Sequence, residues 1–172
     1  MDDTRSLIFS IVGAVIAVLL QAMCAPNIAI GSSLPNFIAA YACALAIVCP
    51  DRVGPIFAFV LGLAFDLMST GPVGAMAFLL LVACVLVSRV YFVLDNDTVF
   101  IPLFILVVAL FAIEFFYGAF LVGTGASNAL DAFIYRALPC ALYDFVVAVI
   151  WYMVASRVLG GAQSKSGNII LR

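Results

Sequence analysis

Four ionisable side chains stand in segments of this chain that are otherwise almost wholly apolar: Asp66, Glu114, Arg136 and Asp144. In apolar surroundings such groups form ion pairs, receive a polar group of a partner, or line a route for protons or a substrate. Catalysis has little support, because the chain has no histidine and therefore no Ser–His–Asp or Cys–His arrangement. We predict no enzymatic activity, no cofactor and no metal site.

The composition indicates a membrane protein. Hydrophobic residues make up 67% of the 172 positions, charged residues 9%, and the mean hydropathy is +1.32. Soluble domains are about half apolar and about a quarter charged, so we predict that the lipid bilayer covers the excess. There is no basic stripe of the kind that binds nucleic acid. The five cysteines are scattered singly through the chain, and we interpret them as packing residues.

Six apolar segments, separated by turn-forming residues, approach the length of about 20 residues that a membrane-spanning helix needs. They are predicted at residues 7–25, 34–49, 55–67, 74–94, 98–122 and 133–157. The second and third are short, so five spans or a re-entrant pair is the alternative. We predict one helical transmembrane domain over residues 1–172, with a cytoplasmic lead at 1–6 and a cytoplasmic tail at 158–172.

The basic residues predict the orientation. With both termini in the cytoplasm, one basic residue, Arg136, lies on the outer side and six lie on the inner side, as the positive-inside rule favours. The six are Arg5, Arg52, Arg89, Arg157, Lys165 and Arg172. An even number of spans therefore fits better than five.

This orientation places Asp66, Glu114 and Arg136 in the outer half of the bilayer, and Asp144 roughly 12 Å deeper than Arg136 along the last helix. We predict that Arg136 pairs with Asp66 or Glu114. Asp144 is then protonated, or hydrogen-bonds Tyr143 or a neighbouring helix, or meets a partner subunit. Ion pairs that hold the bundle together are the favoured interpretation. Docking to another membrane protein and a proton or substrate route are the alternatives.

The region from the second to the fourth segment carries a recognisable pattern. Pro50-Asp-Arg-Val-Gly54 is followed by Phe59, Gly62-Leu63, Asp66-Leu67, Gly71-Pro72 and Gly74. This resembles the MreD family, whose signature is similar to P-x-R-x-G, then G-F-x-x-G-L-x-x-D-L, a small polar turn and a glycine. Ala58 stands where that pattern usually has glycine. The candidate structural or partner-binding residues are Arg52, Gly54, Phe59, Gly62, Asp66, Gly71, Pro72 and Gly74, together with Glu114, Arg136 and Asp144.

The resemblance implies a non-catalytic, multi-pass protein of the bacterial inner membrane. Proteins similar to MreD bind MreC, a single-span periplasmic scaffold. With it they belong to the elongasome around MreB filaments, RodA and a class B penicillin-binding transpeptidase, which maintains cell shape and peptidoglycan elongation. A homodimer is also left open.

The resemblance leaves a second function open, because the fold of the MreD family looks like that of the substrate-binding subunits of energy-coupling-factor vitamin transporters. Those subunits usually carry an Ala-x-x-x-Ala pattern in the first helix. Here Ala14, Ala17 and Ala22 have no alanine four positions on, which favours the adaptor over the transporter subunit. A small permease or lipid flippase is a third alternative.

Overall fold

The computed structural model describes residues 2–28, 34–49, 55–69, 71–94 and 100–166. Six α-helices account for most of them: α1 Asp2–Met23, α2 Phe37–Val48, α3 Pro55–Met68, α4 Ala75–Leu94, α5 Phe100–Gly123 and α6 Leu138–Ser166. A 3₁₀-helix, Ala25–Asn27, follows α1, and a π-helix, Asp131–Ala137, leads into α6. The described ranges contain no β-strand, as the apolar periodicity predicts.

The helices coincide with the six predicted segments, with differences at the ends of the chain. The helix α1 already begins within the predicted lead, at Asp2, and α6 continues to Ser166, inside the predicted tail. The sequence also predicts a kink at Pro139, which lacks an N–H group. A π-helix lies directly before this proline, and in it the N–H of Leu138 bonds to the carbonyl of Phe133. Such bulges are themselves common positions of helix kinks.

Four stretches are long and apolar enough to cross a membrane: Ser6–Asn27, Ala75–Leu94, Phe100–Gly123 and Asp131–Leu159. The other two helices, α2 with 12 residues and α3 with 14, are shorter. At 1.5 Å per residue they are roughly 18 Å and 21 Å long, against about 30 Å for the hydrocarbon core. The structure therefore supports six helices, of which four meet the length of a span.

The short helix α2 lies at the centre of the structure. Every residue from Phe37 to Ile47 is buried, and the helix contacts α1, α3, α4, α5 and α6. A helix that is apolar on all sides is stable where other helices cover all sides. Five alanines on α2 allow close approach of the neighbouring backbones: Ala39, Ala40, Ala42, Ala44 and Ala46.

The surrounding helices turn large apolar side chains outward. Ile56 on α3, Phe92 on α4 and Phe104 on α5 are 79%, 80% and 69% exposed. In water such a surface would drive aggregation, whereas in a bilayer it contacts lipid chains of similar polarity. Two groups of polar contacts between helices lie inside, at the N-terminal ends of α2 and α4.

Candidate functional site

Asp66 caps the N-terminus of α4 from the end of the preceding helix. The side chain is 1% exposed. Its Oδ2 accepts hydrogen bonds from the backbone N–H groups of Gly74 (2.8 Å) and Ala77 (3.1 Å), and its Oδ1 accepts one from Met76 (3.2 Å). The first N–H groups of a helix have no partner within the helix, and the helix dipole favours a negative charge beside them. Three donors are thus satisfied by one buried carboxylate.

The turn between α3 and α4 makes this capping geometrically feasible. Gly74 has φ +96°, a conformation that side chains other than glycine rarely adopt. The carbonyl of Pro72 accepts the N–H of Ala75 at 3.2 Å. At Gly71 there is no room for a Cβ, because it would meet the hydroxyl of Tyr117. The turn therefore folds back tightly enough to bring the start of α4 beside Asp66.

Gly62 brings the two helices close enough for the same contact. A Cβ at residue 62 would lie 2.7 Å from the backbone nitrogen of Ala77, nearer than packed atoms allow. Ala77 is also one of the three donors to Asp66, which lies one helical turn after Gly62. The absence of a side chain at Gly62 and the carboxylate of Asp66 therefore support the same contact between α3 and α4.

Replacing Gly74 by alanine is expected to lower the free energy of unfolding by about 1–2 kcal/mol through backbone strain alone. A Cβ at this position meets nothing within 4 Å, so crowding makes no contribution. Asparagine adopts positive φ more readily than alanine, so Gly74→Asn is expected to cost less than Gly74→Ala although its side chain is larger. The midpoint of detergent-induced unfolding, followed by circular dichroism, measures both. A larger loss for asparagine would show that crowding, and not strain, limits this position.

The N-terminus of α2 is capped by side chains from three elements. Asn36 accepts the N–H of Ala39 on its own Oδ1 at 2.9 Å, as a helix N-cap does. Gln21 of α1 accepts the N–H of Phe37 at 2.8 Å, and Asp144 of α6 accepts the N–H of Asn36 at 2.5 Å. Neither Asn36 nor Gln21 is among the candidate residues that the sequence predicts. Their pattern, a polar residue directly before or within an apolar helix, is the feature that identifies such caps.

Arg136 lies beside Glu114. Its Nη1 is 3.7 Å from Glu114 Oε2, and its guanidinium stacks on the ring of Tyr117 at 4.6 Å from the centroid, an arrangement that favours a cation over an aromatic face. Of the two pairings that the sequence leaves open, the structure has the one with Glu114, while the carboxylate of Asp66 binds backbone N–H groups. Tyr117 also lies 3.5 Å from the hydroxyl of Ser69, so it joins this pair to the end of α3.

The π-helix and α6 place Arg136, Cys140 and Asp144 on one face, at intervals of four residues. Cys140 and Asp144 are both 0% exposed, and the thiol of Cys140 donates to the carbonyl of Leu34 at 3.3 Å. The sequence also predicts that Arg136, Pro139, Cys140, Tyr143 and Asp144 form one stripe on the last helix. The structure turns Cys140 and Asp144 of this stripe inward. Tyr143, which the sequence adds to this stripe, is half-buried.

The remaining predicted residues do not join these contacts. Phe59 is 40% exposed on the outer side of α3. Arg52 and Gly54 lie outside the described residues. Within the part of the chain that the structure describes, no group of three His, Cys, Asp or Glu side chains could hold a metal ion.

The side chains that cap α2 and those that cap α4 thus meet at two neighbouring helix N-termini. Nδ2 of Asn36, the N-cap of α2, lies 3.8 Å from the sulfur of Met76 on α4. The family model of the rod shape-determining protein MreD matches residues 4–159. The chain belongs to the MreD family. The match extends from α1 nearly to the end of α6 and includes both capped N-termini. The expected resemblance is therefore confirmed well beyond the pattern from Pro50 to Gly74 that suggested it. MreD proteins determine rod shape and are membrane proteins without a known catalytic activity, and the four apolar helices suit that setting.

The other two comparisons add no relative. No curated protein and no solved structure matches the chain. The likeness to vitamin-transporter subunits that the sequence analysis draws from the family thus stays an expectation about the fold.

Proposed function

We propose that this MreD-family protein is a non-catalytic adaptor of the bacterial cell-elongation complex, located in the inner membrane and acting by binding an MreC-like single-span scaffold. The match of residues 4–159 to the rod shape-determining family carries the proposal. The geometry of the polar residues supports it. Asp66 accepts three N–H groups and is 1% exposed, an environment suited to holding helices in place and not to meeting a substrate.

The glycines and the aspartate of the central pattern serve one structural task in this proposal. Gly62, Asp66, Gly71 and Gly74 all shape the junction of α3 and α4. A rigid junction keeps the outer surface of the bundle in one shape, which is what a partner helix requires for close packing in a membrane. These residues would then act on binding through the fold, without touching the partner.

The proposed topology has both termini in the cytoplasm and six membrane-embedded helices. Four of them are long enough to cross by themselves, and the short α2 is covered by all the others. The capped N-termini of α2 and α4 would lie toward the periplasm, together with Arg136. The excess of basic residues on the opposite side supports this orientation.

The partner would be bound along the outward apolar faces. These faces include the walls of an apolar groove of about 550 Å³ between α4 and α5. Phe78, Val82 and Leu86 line it on α4, and Phe104 and Val108 line it on α5. A transmembrane helix packs against such surfaces by van der Waals contact and by release of lipid. Through the scaffold, the protein would belong to the assembly of MreB filaments, RodA and a class B penicillin-binding transpeptidase.

Affinity purification of the tagged full-length chain from membranes of its own bacterium, followed by mass spectrometry, tests the proposal. The expected result is enrichment of an MreC-like scaffold over a control purification with an unrelated tagged inner-membrane protein. Depletion of the chain is expected to convert rods to rounded cells. Enrichment of a pair of ATPases with a transmembrane coupling subunit would instead favour the vitamin-transporter subunit, and would contradict the adaptor.

A further inference from the structure

A second cluster of ionisable groups, between α5, the π-helix and α6, is not explained by helix capping alone. Glu114 is 2% exposed and Asp144 is 0% exposed, and each has one buried carboxyl oxygen without a hydrogen-bond partner among the described residues. Arg136 is the neighbouring base, 3.7 Å from Glu114. If all three groups were ionised, the cluster would carry one excess negative charge in a setting where isolated charges are strongly disfavoured.

The comparison with Asp66 shows how incompletely Asp144 is compensated. Asp66 accepts three backbone N–H groups, whereas among the residues that the structure describes Asp144 accepts the single N–H of Asn36. Two other donors at the start of α2 are already used, because Gln21 accepts the N–H of Phe37 and the Asn36 side chain accepts the N–H of Ala39. The dipole of α2 therefore stabilises Asp144 less than that of α4 stabilises Asp66.

Three buried polar atoms of this cluster have no hydrogen-bond partner among the described residues: Glu114 Oε2, Arg136 Nη1 and Asp144 Oδ2. Glu114 Oε2 is an acceptor and Arg136 Nη1 is a donor, while Asp144 Oδ2 accepts if its carboxyl group is ionised and donates if it is protonated. A water molecule can donate two hydrogen bonds and accept others, and buried waters typically have two to four polar partners. The three atoms match one such molecule in number and in kind.

We propose that Glu114, Arg136 and Asp144 form a buried site that holds one proton and one water molecule, with Asp144 present as a neutral carboxylic acid. The acid O–H donates to the water, the water donates to Glu114 Oε2, and Arg136 Nη1 donates to the water. Glu114 stays ionised because it has the guanidinium beside it. The proton neutralises the excess negative charge, and the water gives each of the three unpaired atoms a hydrogen-bond partner.

Four further polar or ionisable groups face this cluster from the surrounding helices. They are Asn36 and Cys43 on α2, Tyr117 on α5 and Cys140 on α6. None of them is a base that is charged at neutral pH, so Arg136 is the positive group available to the two carboxylates among the described neighbours.

Infrared spectroscopy of the full-length protein in lipid nanodiscs tests this assignment at neutral pH. A protonated carboxyl group has a C=O stretching band separate from that of ionised carboxylates. The expected result is one such band, absent from Asp144→Asn and shifted in Glu114→Gln, because the water that joins the two groups then has a different partner. Asp66→Asn is the matched control and is expected to keep the band, since Asp66 is compensated by three N–H groups.

Thermal unfolding of the same variants separates protonation from structural damage. Asparagine imitates a neutral carboxylic acid, so Asp144→Asn is expected to melt within a few degrees of the unmodified protein, while Asp144→Ala melts well below it. Absence of the band in the unmodified protein, or its persistence in Asp144→Asn, would overturn the proposal. Melting that depends on sodium as opposed to choline would also overturn it, because a metal cation would then supply the missing positive charge.

Discussion

Replacing Asp66 by alanine is expected to lower the free energy of unfolding by about 3 kcal/mol or more. The substitution leaves the N–H groups of Gly74, Met76 and Ala77 without their acceptor. Each buried donor that loses its partner costs about 1–3 kcal/mol. Asp66→Asn is expected to lie between alanine and the unmodified protein, because one amide oxygen still accepts while the amide nitrogen faces donors. Titration with dodecyl sulfate, followed by circular dichroism, measures these differences.

Asp131→Ala provides the matched control. Asp131 is also an aspartate at the start of a helix, but its side chain is exposed, and exposed substitutions usually change stability by less than about 0.5 kcal/mol. If Asp66→Ala lowered the free energy of unfolding as little as Asp131→Ala, the cap of α4 would contribute little to stability. The structural role proposed for Asp66 would then be contradicted. Retention of an MreC-like partner by each variant, normalised to the folded fraction, then distinguishes a loss of fold from a loss of docking.

Gly62→Ala is expected to destabilise the protein by about 3 kcal/mol. The added Cβ would overlap the backbone of Ala77, which cannot move aside as a flexible side chain could. Overpacking of this kind typically costs about 1–3 kcal/mol, and separating α3 from α4 would also lengthen the hydrogen bond from Ala77 to Asp66. The same detergent titration applies.

Gly123→Ala is the control for Gly62→Ala, because a Cβ at residue 123 meets nothing within 4 Å. It is expected to change stability by less than about 0.5 kcal/mol. Since Gly62 and Asp66 support the same helix contact, the double variant Gly62→Ala, Asp66→Ala is expected to lose less than the sum of the two single losses. Strict additivity would mean that the close approach of the helices and the cap are independent.

Much of the architecture can be predicted from local pattern. The six helices follow from apolar runs separated by turn residues, and the predicted segments agree with the observed ones except at the ends of α1 and α6. The position of Asp66 within an apolar segment, with glycines on both sides, also indicates from the sequence that this residue has a structural role. Such predictions succeed because hydropathy and turn chemistry are properties of residues close together in sequence.

The contacts of the buried charges could not be predicted in the same way. From the sequence, Asp66 and Glu114 are equivalent partners for Arg136, yet the structure turns Asp66 to backbone donors and leaves Glu114 beside the guanidinium. Gln21 reaches the N-terminus of α2 only because α2 packs against α1. Pro139 excludes a normal helical hydrogen bond, but the π-helix before it could not be predicted, because its formation depends on the packing around it.

The sequence by itself determined the solvent, the helices and the family of this protein, because composition, apolar runs and a local glycine–aspartate pattern need no knowledge of distant contacts. Only the tertiary structure decided what each buried polar group binds, since that depends on how α2, α3, α4 and α6 approach one another. Asp66 and Asp144 both stand in apolar segments of the sequence, but the folded structure gives them different hydrogen-bond partners. Asp66 accepts hydrogen bonds on both carboxylate oxygens, while Asp144 Oδ2 has no hydrogen-bond partner in the described part of the chain.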